Sequence, residues 1–290
     1  MIKFDFSSHI LEFKTPAKTS RNVYKDRKIW IISAYDTLNP QVKGLGEAGP
    51  LFGLSPDDKP EFENELIQCL HYLNEQNPIQ EYDFQNLPAL KFALESAYLD
   101  LQMGGQKILF DNFFSKKQRS IPINGLVWMD ELEPMINAAF EKVEQGFSVI
   151  KFKIGAHDFD AECRMLEQIR KRYNAFKLEI RLDANGAFDA ADVKSQLKDL
   201  SRFEVHSIEQ PIKAGQLELM QEICNKPSID IALDEELIGI PVSEAPILLK
   251  TIKPQYIILK PSLIGGLENS RAWINAAQNN HIACWMTSAL

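Results

Sequence analysis

The sequence predicts an α/β protein: an N-terminal α+β domain followed by a TIM-type parallel barrel that ends after its seventh strand. Three observations predict it. The first hundred residues run as strands and then helices, the order of a separate α+β unit. From about Ser120 the pattern turns to strand, helix, strand, helix, the signature of βα units. No glycine-rich phosphate loop follows the first of those strands, which favours a barrel over a doubly wound sheet. The division falls near residue 112, giving a domain of residues 1–112 and a barrel of residues 113–290.

Composition narrows the function. With 290 residues, 45% hydrophobic and 25% charged, the chain has material for a large core. A net charge of -8 and no Lys/Arg-rich block argue against a nucleic-acid partner. No apolar run is long enough to span a bilayer, so no membrane partner is expected. The opening, Met1-Ile-Lys-Phe-Asp-Phe6, alternates like a strand and lacks a signal-peptide core. A cytoplasmic protein is therefore expected. Cys69, Cys163, Cys224 and Cys284 are far apart without a CxxC pair, which predicts reduced, mostly buried thiols. The five histidines have no metal-binding spacing.

In order, residues 1–6 and 10–13 read as strands of a hairpin or meander, and residues 28–33 (KIWIIS) as the strongest strand of the first domain. Residues 15–26 are polar and carry Lys18, Arg21 and Lys25. They read as a loop, or more sharply as a mobile lid over a site. Residues 44–55 read as a second loop, glycine-rich yet apolar at Leu51, Phe52 and Leu54. Helices follow at 60–73 and 88–103, the latter with Leu90, Ala93, Leu94, Ala97 and Leu101 on one face and Gly104-Gly105 as its stop. Barrel strands are predicted at 121–128, 149–154, 178–183, 205–209, 229–234, 255–260 and 282–287. Helices lie between them at 131–145, 160–173, from Asp189 to 200, 216–224, 244–251 behind Ser243, and 267–279.

The strand at 149–154 (VIKFKI) organises the rest. Strand side chains alternate, so Lys151 and Lys153 share one face and Ile150, Phe152 and Ile154 the other. Two ammonium groups inside a barrel are costly unless something there needs them. Asp183, Glu209 and Asp234 close the next three strands, and Lys260 closes the one after. The steps from Lys153 are 30, 26, 25 and 26 residues, one βα unit each. All five residues should stand at one mouth of the barrel, where such barrels place their chemistry. A lone acid after a strand is usually a helix cap, and Asp158 and Asp189 are read that way. Five successive units at matching depth are not explained by capping. Three converging carboxylates without a cation would raise one another's pKa values. Oxygen ligands alone suit a hard ion, Mg²⁺ or in its place Mn²⁺. The lysines then fit proton transfer, with Lys151 and the metal depressing the pKa of Lys153.

The motifs Lys151-Phe-Lys153, Asp183-Ala-Asn185-Gly, Ile208-Glu209-Gln-Pro211, Leu233-Asp234-Glu235 and Leu259-Lys260-Pro-Ser resemble the enolase superfamily in order and spacing. That superfamily uses a lysine base with Mg²⁺. The resemblance covers nearly the whole chain and implies that the first domain caps a (β/α)7β-type barrel. Within the superfamily, Leu259-Lys260-Pro-Ser-Leu-Ile-Gly265-Gly266 and Trp285-Met-Thr-Ser288-Ala-Leu resemble the o-succinylbenzoate synthase family. The resemblance implies a small carboxylate substrate, a cyclohexadiene bearing a succinyl arm, which loses water to give an aromatic intermediate of menaquinone synthesis. It implies Lys153 as the acid/base, Lys260 as a fixed cation over the opposite ring face, and Lys151 tuning Lys153. Asp183, Glu209 and Asp234 would hold Mg²⁺. Ser288 and the Gly265-Gly266 amides are candidates for the succinyl carboxylate, and Arg181 shares strand parity with Asp183 and is a further substrate-side candidate. Asn185 and Glu235 would support the ligands, or merely cap the following helices.

Other readings share these residues. An N-succinylamino-acid racemase or a dipeptide epimerase would use Lys153 and Lys260 as opposed acid and base. A Schiff-base aldolase also places a lysine on a sixth barrel strand. A binding module without activity is the non-enzyme alternative. The family continues past the seventh strand with a helix, a last strand and a tail. Since the chain stops at Ala289-Leu290, a shortened form with two open sheet edges is expected.

Overall fold

The computed structural model describes residues 1–19 and 22–289. Three antiparallel strands open the chain: β1 (Ile2–Lys18), β2 (Val23–Asp36) and β3 (Asn39–Ala48), in the order β1-β2-β3. Helices α1 (Phe62–Asn74) and α2 (Pro88–Gln102) cover this sheet. Trp30, Ile32 and Ala34 of β2 meet Phe62, Leu66, Leu70, Leu90, Leu94 and Ala97 in one apolar cluster.

The first strand departs from the expected hairpin and loop. Residues 1–6 and 10–13 are one continuous strand, and most of 15–26 belongs to β1 and β2 rather than to a loop. Among the described residues, pairing with β2 is interrupted only between Glu12 and Ala17, where the register shifts around Pro16, which has no N–H to give the ladder. Arg21 lies outside the described residues. The glycine-rich stretch 44–55 is likewise half strand, since β3 runs to Ala48. Its glycines serve packing: a Cβ on Gly44 or Gly46 would overlap the Ala97 or Ala93 carbonyl of α2. Only a glycine strand lets the helix lie that close.

The second part alternates β4 (Gly125–Val127), α3 (Leu132–Glu144), β5 (Val149–Lys153), α4 (Phe159–Arg172), β6 (Glu179–Asp183), α5 (Val193–Ser201), β7 (Ser207–Glu209), α6 (Leu217–Asn225), β8 (Asp230–Leu233), α7 (Ala245–Ile252), β9 (Tyr256–Leu259), α8 (Pro261–Ile264), α9 (Gly266–Asn279) and β10 (Ala283–Met286). The seven strands form one parallel sheet in the order β10-β9-β8-β7-β6-β5-β4, with β4 and β10 at its edges among the described residues. Ile150, Phe152 and Ile154 are buried with Leu166, Ile180, Leu182, Ile208, Ile231 and Trp273 between sheet and helices. That burial turns Lys151 and Lys153 inward. Asp158 caps α4, accepting from the Ala161 amide at 3.1 Å. Asp189 does not cap α5 with its side chain: the helix starts four residues later, and Asp189 contributes its carbonyl to the Val193 amide. Cys69, Cys163 and Cys224 are buried free thiols and Cys284 is half-buried. No helix is long and apolar enough to cross a membrane among the described residues.

Candidate active site

Lys153, Asp183 and Glu209 are direct partners across β5, β6 and β7. The next two residues are staggered. Glu209 pairs with Ala232, two residues short of Asp234, and Leu233 pairs with Ile257, so Lys260 stands two residues beyond the position opposite Asp234. Strands tilt in a barrel and their register advances with each step, so stagger is what keeps side chains at one height. Matching depth, expected as equal position on each strand, is thus reached by shear.

The five side chains are deeply buried: Asp183 is 0%, Glu209 3%, Asp234 2%, Lys153 8% and Lys260 6% exposed. A ladder of ion pairs runs through the three carboxylates. Lys151 Nζ donates to Glu209 Oε2 at 2.6 Å and lies 2.7 Å from Asp183 Oδ2. Lys153 Nζ donates to Asp183 Oδ2 at 2.6 Å and to Asn185 Oδ1 at 2.9 Å. Lys260 Nζ donates to Asp234 Oδ2 and lies 3.9 Å from Glu209 Oε1. Among the described residues, no three acidic, histidine or cysteine groups stand close enough to hold an ion as they are placed. Each of the three lysines stands against at least one of the three carboxylates.

This pairing divides the acids. Burial opposes the charge on Asp183, but Lys151, Lys153 and Lys260 outweigh it and hold the carboxyl far below its usual range. Burial, and then the negative charge of Asp183, push Glu209 up to about 7. Burial and then Glu235 raise Asp234. Burial also works against the ammonium of Lys151, yet Asp183 and Glu209 prevail and hold it above its ordinary value. Lys260 is raised against burial by Asp234 and Glu209.

The remaining candidates separate. Asn185 touches Lys153 directly, while its Nδ2 donates to Glu235 Oε1 at 3.0 Å, so neither residue serves merely as a helix cap. Arg181 lies on the inward row below Asp183, its Nε donating to Glu179 Oε1 at 2.7 Å and its Cζ 4.5 Å from the Trp285 ring centroid. Ser288 and Arg181 line a cleft of about 540 Å³ together with Lys151, Lys153, Asn185 and Lys260. Gly265 and Gly266 are not on that cleft. A Cβ on Gly266 would overlap the Glu95 carboxylate of α2, which accepts from the amides of Leu267 and Glu268. The start of α9 therefore already has an anion, supplied by the first domain, and is corrected from substrate contact to domain contact. Gln210, fully buried between Glu209 and Pro211, carries no sequence signal beyond that place, and its neighbour Glu236 carries none.

The first domain closes over this cleft. Thr19, Tyr24, Leu51 and Leu54 line it with the lysines. Tyr24 Oη donates to the Phe52 carbonyl at 3.1 Å, and Lys18 Nζ pairs with Asp130 Oδ1 at 2.9 Å across the two domains. A second cavity of about 680 Å³ lies between the domains near Tyr82, Tyr98 and Arg271, away from the buried ions. The lysine cleft is the better candidate because charge is buried there at cost.

A capping sheet over a curled, seven-stranded parallel half-barrel whose inner face carries this alternation of lysines and acids defines a class, and the chain belongs to it: residues 135–290 match the family described as Enolase C-terminal domain-like. Within the enolase superfamily the chain groups with the o-succinylbenzoate synthases, and it is an enzyme of the lyase class. It is 39% identical over 311 residues to an o-succinylbenzoate synthase of Desulfotalea psychrophila, covering 97% of this chain and 84% of that protein. The crystal structure of MenC from the same organism superposes with a TM-score of 0.87 at 35% identity, over 100% of this chain and 86% of that one. A dipeptide epimerase of Enterococcus faecalis, complexed with Mg and the dipeptide L-Leu-L-Tyr, shares the fold with a TM-score of 0.78 at 22% identity, over 98% of this chain and 81% of that one.

Proposed function

We propose that the protein catalyses the Mg²⁺-dependent syn-dehydration of 2-succinyl-6-hydroxy-2,4-cyclohexadiene-1-carboxylate to o-succinylbenzoate, a cytoplasmic step of menaquinone biosynthesis. The observation that carries this reading is the placement of two lysines in one cleft. Lys153 on β5 is held by Asp183 and Asn185, and Lys260 just after β9 is held by Asp234. The likeness to the Desulfotalea psychrophila synthase supports the choice of reaction.

Neutral Lys153 Nζ takes the proton from the ring carbon bearing the carboxylate. As an ammonium it returns that proton to the departing hydroxyl on the same face. The ring loses one C–H and one C–O bond, water leaves, and the product is aromatic. One group suffices because the steps are syn and sequential. Lys260, with its charge held by Asp234, stabilises negative charge building on the ring and transfers no proton. Lys151 offsets the charges of Asp183 and Glu209 beside Lys153. Ser288 and Arg181 line the cleft and would meet the substrate's carboxylates.

The donor set fits a divalent cation. Asp183, Glu209 and Asp234 offer only hard oxygens, and Glu209 Oε1 is buried and accepts no hydrogen bond among the described residues. These three residues would hold Mg²⁺, or Mn²⁺ in its place. When bound, the ion supplies positive charge against the negative charge that develops on the substrate carboxylate.

The second reading is a two-base racemase or epimerase, favoured by the presence of Lys260 in the same cleft as Lys153 and by the fold shared with the Enterococcus faecalis epimerase. One purified preparation should be assayed for the dehydration, for racemisation of N-succinylamino acids and for epimerisation of dipeptides. Dehydration with a kcat/KM well above the other two supports the proposal. Epimerisation or racemisation dominating overturns it.

A further inference from the structure

Gln210 is wholly buried, and every polar atom it has is used. Its Oε1 accepts from the backbone amides of Asp234 and Glu236, each at 3.2 Å. Its Nε2 donates to the Ile212 carbonyl at 3.0 Å and to Glu236 Oε2 at 3.1 Å. Its own amide donates to the Ala232 carbonyl at 2.9 Å, and its carbonyl accepts from the Gly186 amide at 2.7 Å. Glu236 is held in turn by the Gly215 amide at 2.9 Å. The backbone at Gln210 is left-handed, with φ of 41°. A non-glycine residue in that region is strained and persists only where its surroundings determine it.

Three loops meet on this one residue. The loop after Asp183 arrives through Gly186. The loop after Glu209 contains Gln210 itself. The loop after Asp234 is tied by two amides, one of them that of Asp234. We propose that Gln210 is a positioning residue that sets the mutual spacing of Asp183, Glu209 and Asp234, and with it the affinity and size preference of the cation they hold. The proposal rests on the assignment of those three carboxylates as metal ligands. Groups behind metal ligands orient them, and losing one typically costs about 10- to 100-fold in affinity. Mg²⁺ demands near-ideal octahedral geometry, while Ca²⁺ accepts irregular sites. A frame that fixes ligand spacing should therefore matter more to Mg²⁺ than to Ca²⁺. A residue that only fills the turn would lower stability and leave that preference unmoved.

The test is calorimetric titration of the whole chain with MgCl₂ and with CaCl₂. Gln210→Met keeps the volume and removes the side-chain hydrogen bonds. Gln210→Asn keeps an amide too short to reach Asp234 and Glu236. In each folded variant the Mg²⁺ Kd should rise about 10- to 100-fold, and the Ca²⁺ Kd by clearly less. Unchanged Mg²⁺ binding, or equal losses for both ions, overturns the proposal. Wild-type protein that binds neither ion overturns the metal assignment itself, and this proposal with it. If neither variant folds, amide exchange of the wild-type chain decides. Mg²⁺ should slow exchange at Gly186, Asp234 and Glu236 together, and slowing confined to one loop contradicts a shared frame.

Discussion

Lys153 Nζ donates to Asn185 Oδ1 at 2.9 Å, so a neutral amide, as well as the carboxylate of Asp183, aims the proposed base. Asn185 is itself fixed, by Glu235 and by a left-handed backbone with φ of 48°. Asn185→Leu keeps the volume and removes the aim. It should lower kcat by about 10- to 100-fold, since small misplacements of a reacting group cost that much, with KM little changed. Steady-state kinetics check this, and an unchanged kcat would show that Asp183 alone orients Lys153.

Lys260 is assigned a charge and no proton. Lys260→Arg keeps the charge and stays protonated at neutral pH. Provided product still binds, it should retain at least about ten times the dehydration rate of Lys260→Ala, a modest share of what preorganised charge is worth. Any racemase activity should vanish. A Lys260→Arg protein that binds product and is as inactive as Lys260→Ala would make Lys260 a proton-transfer group.

Asp57 gives the fold a pH dependence away from the active site. It is fully buried, its Oδ2 accepts from the Ala89 amide at 2.7 Å and the Leu90 amide at 3.3 Å, and its Oδ1 has no partner among the described residues. Burial, only partly offset by those amides, pushes its pKa up to about 7. The folded state then keeps a proton that the unfolded chain loses from about pH 4 upward. Stability from this group is full below about pH 4, falls as pH rises to about 7 and levels off above. Asp57→Asn removes the titration. Urea unfolding of both proteins should be followed from acid to mildly alkaline pH. The variant should gain on wild type by a few kcal/mol, since each tenfold change in proton affinity is worth about 1.4 kcal/mol. The gain should be complete by about pH 7. A difference that does not change with pH would contradict the assignment.

Gly46 lets α2 rest on β3. Gly46→Ala places a methyl group on the Ala93 carbonyl, a backbone atom that cannot rotate away. It should destabilise the protein by about 1–3 kcal/mol, read as a lower urea midpoint at constant m-value. A stability equal to wild type would mean that the helix is free to move outward.

What the sequence could reveal depended on how local each cause was. The parity of Lys151 and Lys153 is a property of five consecutive residues, and the strand bears it out with Ile150 and Phe152 buried behind them. The spacing of Asp183, Glu209, Asp234 and Lys260 follows from one βα unit per step, and all four stand at the ends of successive strands. The continuity of β1 was hidden because it is an edge strand with little of one face buried, so Ser7-Ser8-His9 look like a break. Gly44 and Gly46 look like a loop until α2, some fifty residues later, is laid against them. The Gly265-Gly266 amides look free until Glu95 arrives from the other domain. The ladder of lysines and carboxylates, and the hydrogen bonds of Gln210 to the loop after Asp234, arise from register and shear across strands, which no single segment encodes.

In the proposed reaction Lys153 is the one acid/base. Lys153→Ala removes that amine and leaves Asp183, Glu209 and Asp234 in place on other strands. The decisive measurement is the dehydration rate of this variant, taken alongside its Mg²⁺ affinity. Its kcat should fall by about 10²- to 10⁴-fold, the worth of a positioned proton-transfer group, with Mg²⁺ bound nearly as in wild type. Substantial dehydration by a folded Lys153→Ala protein would contradict it.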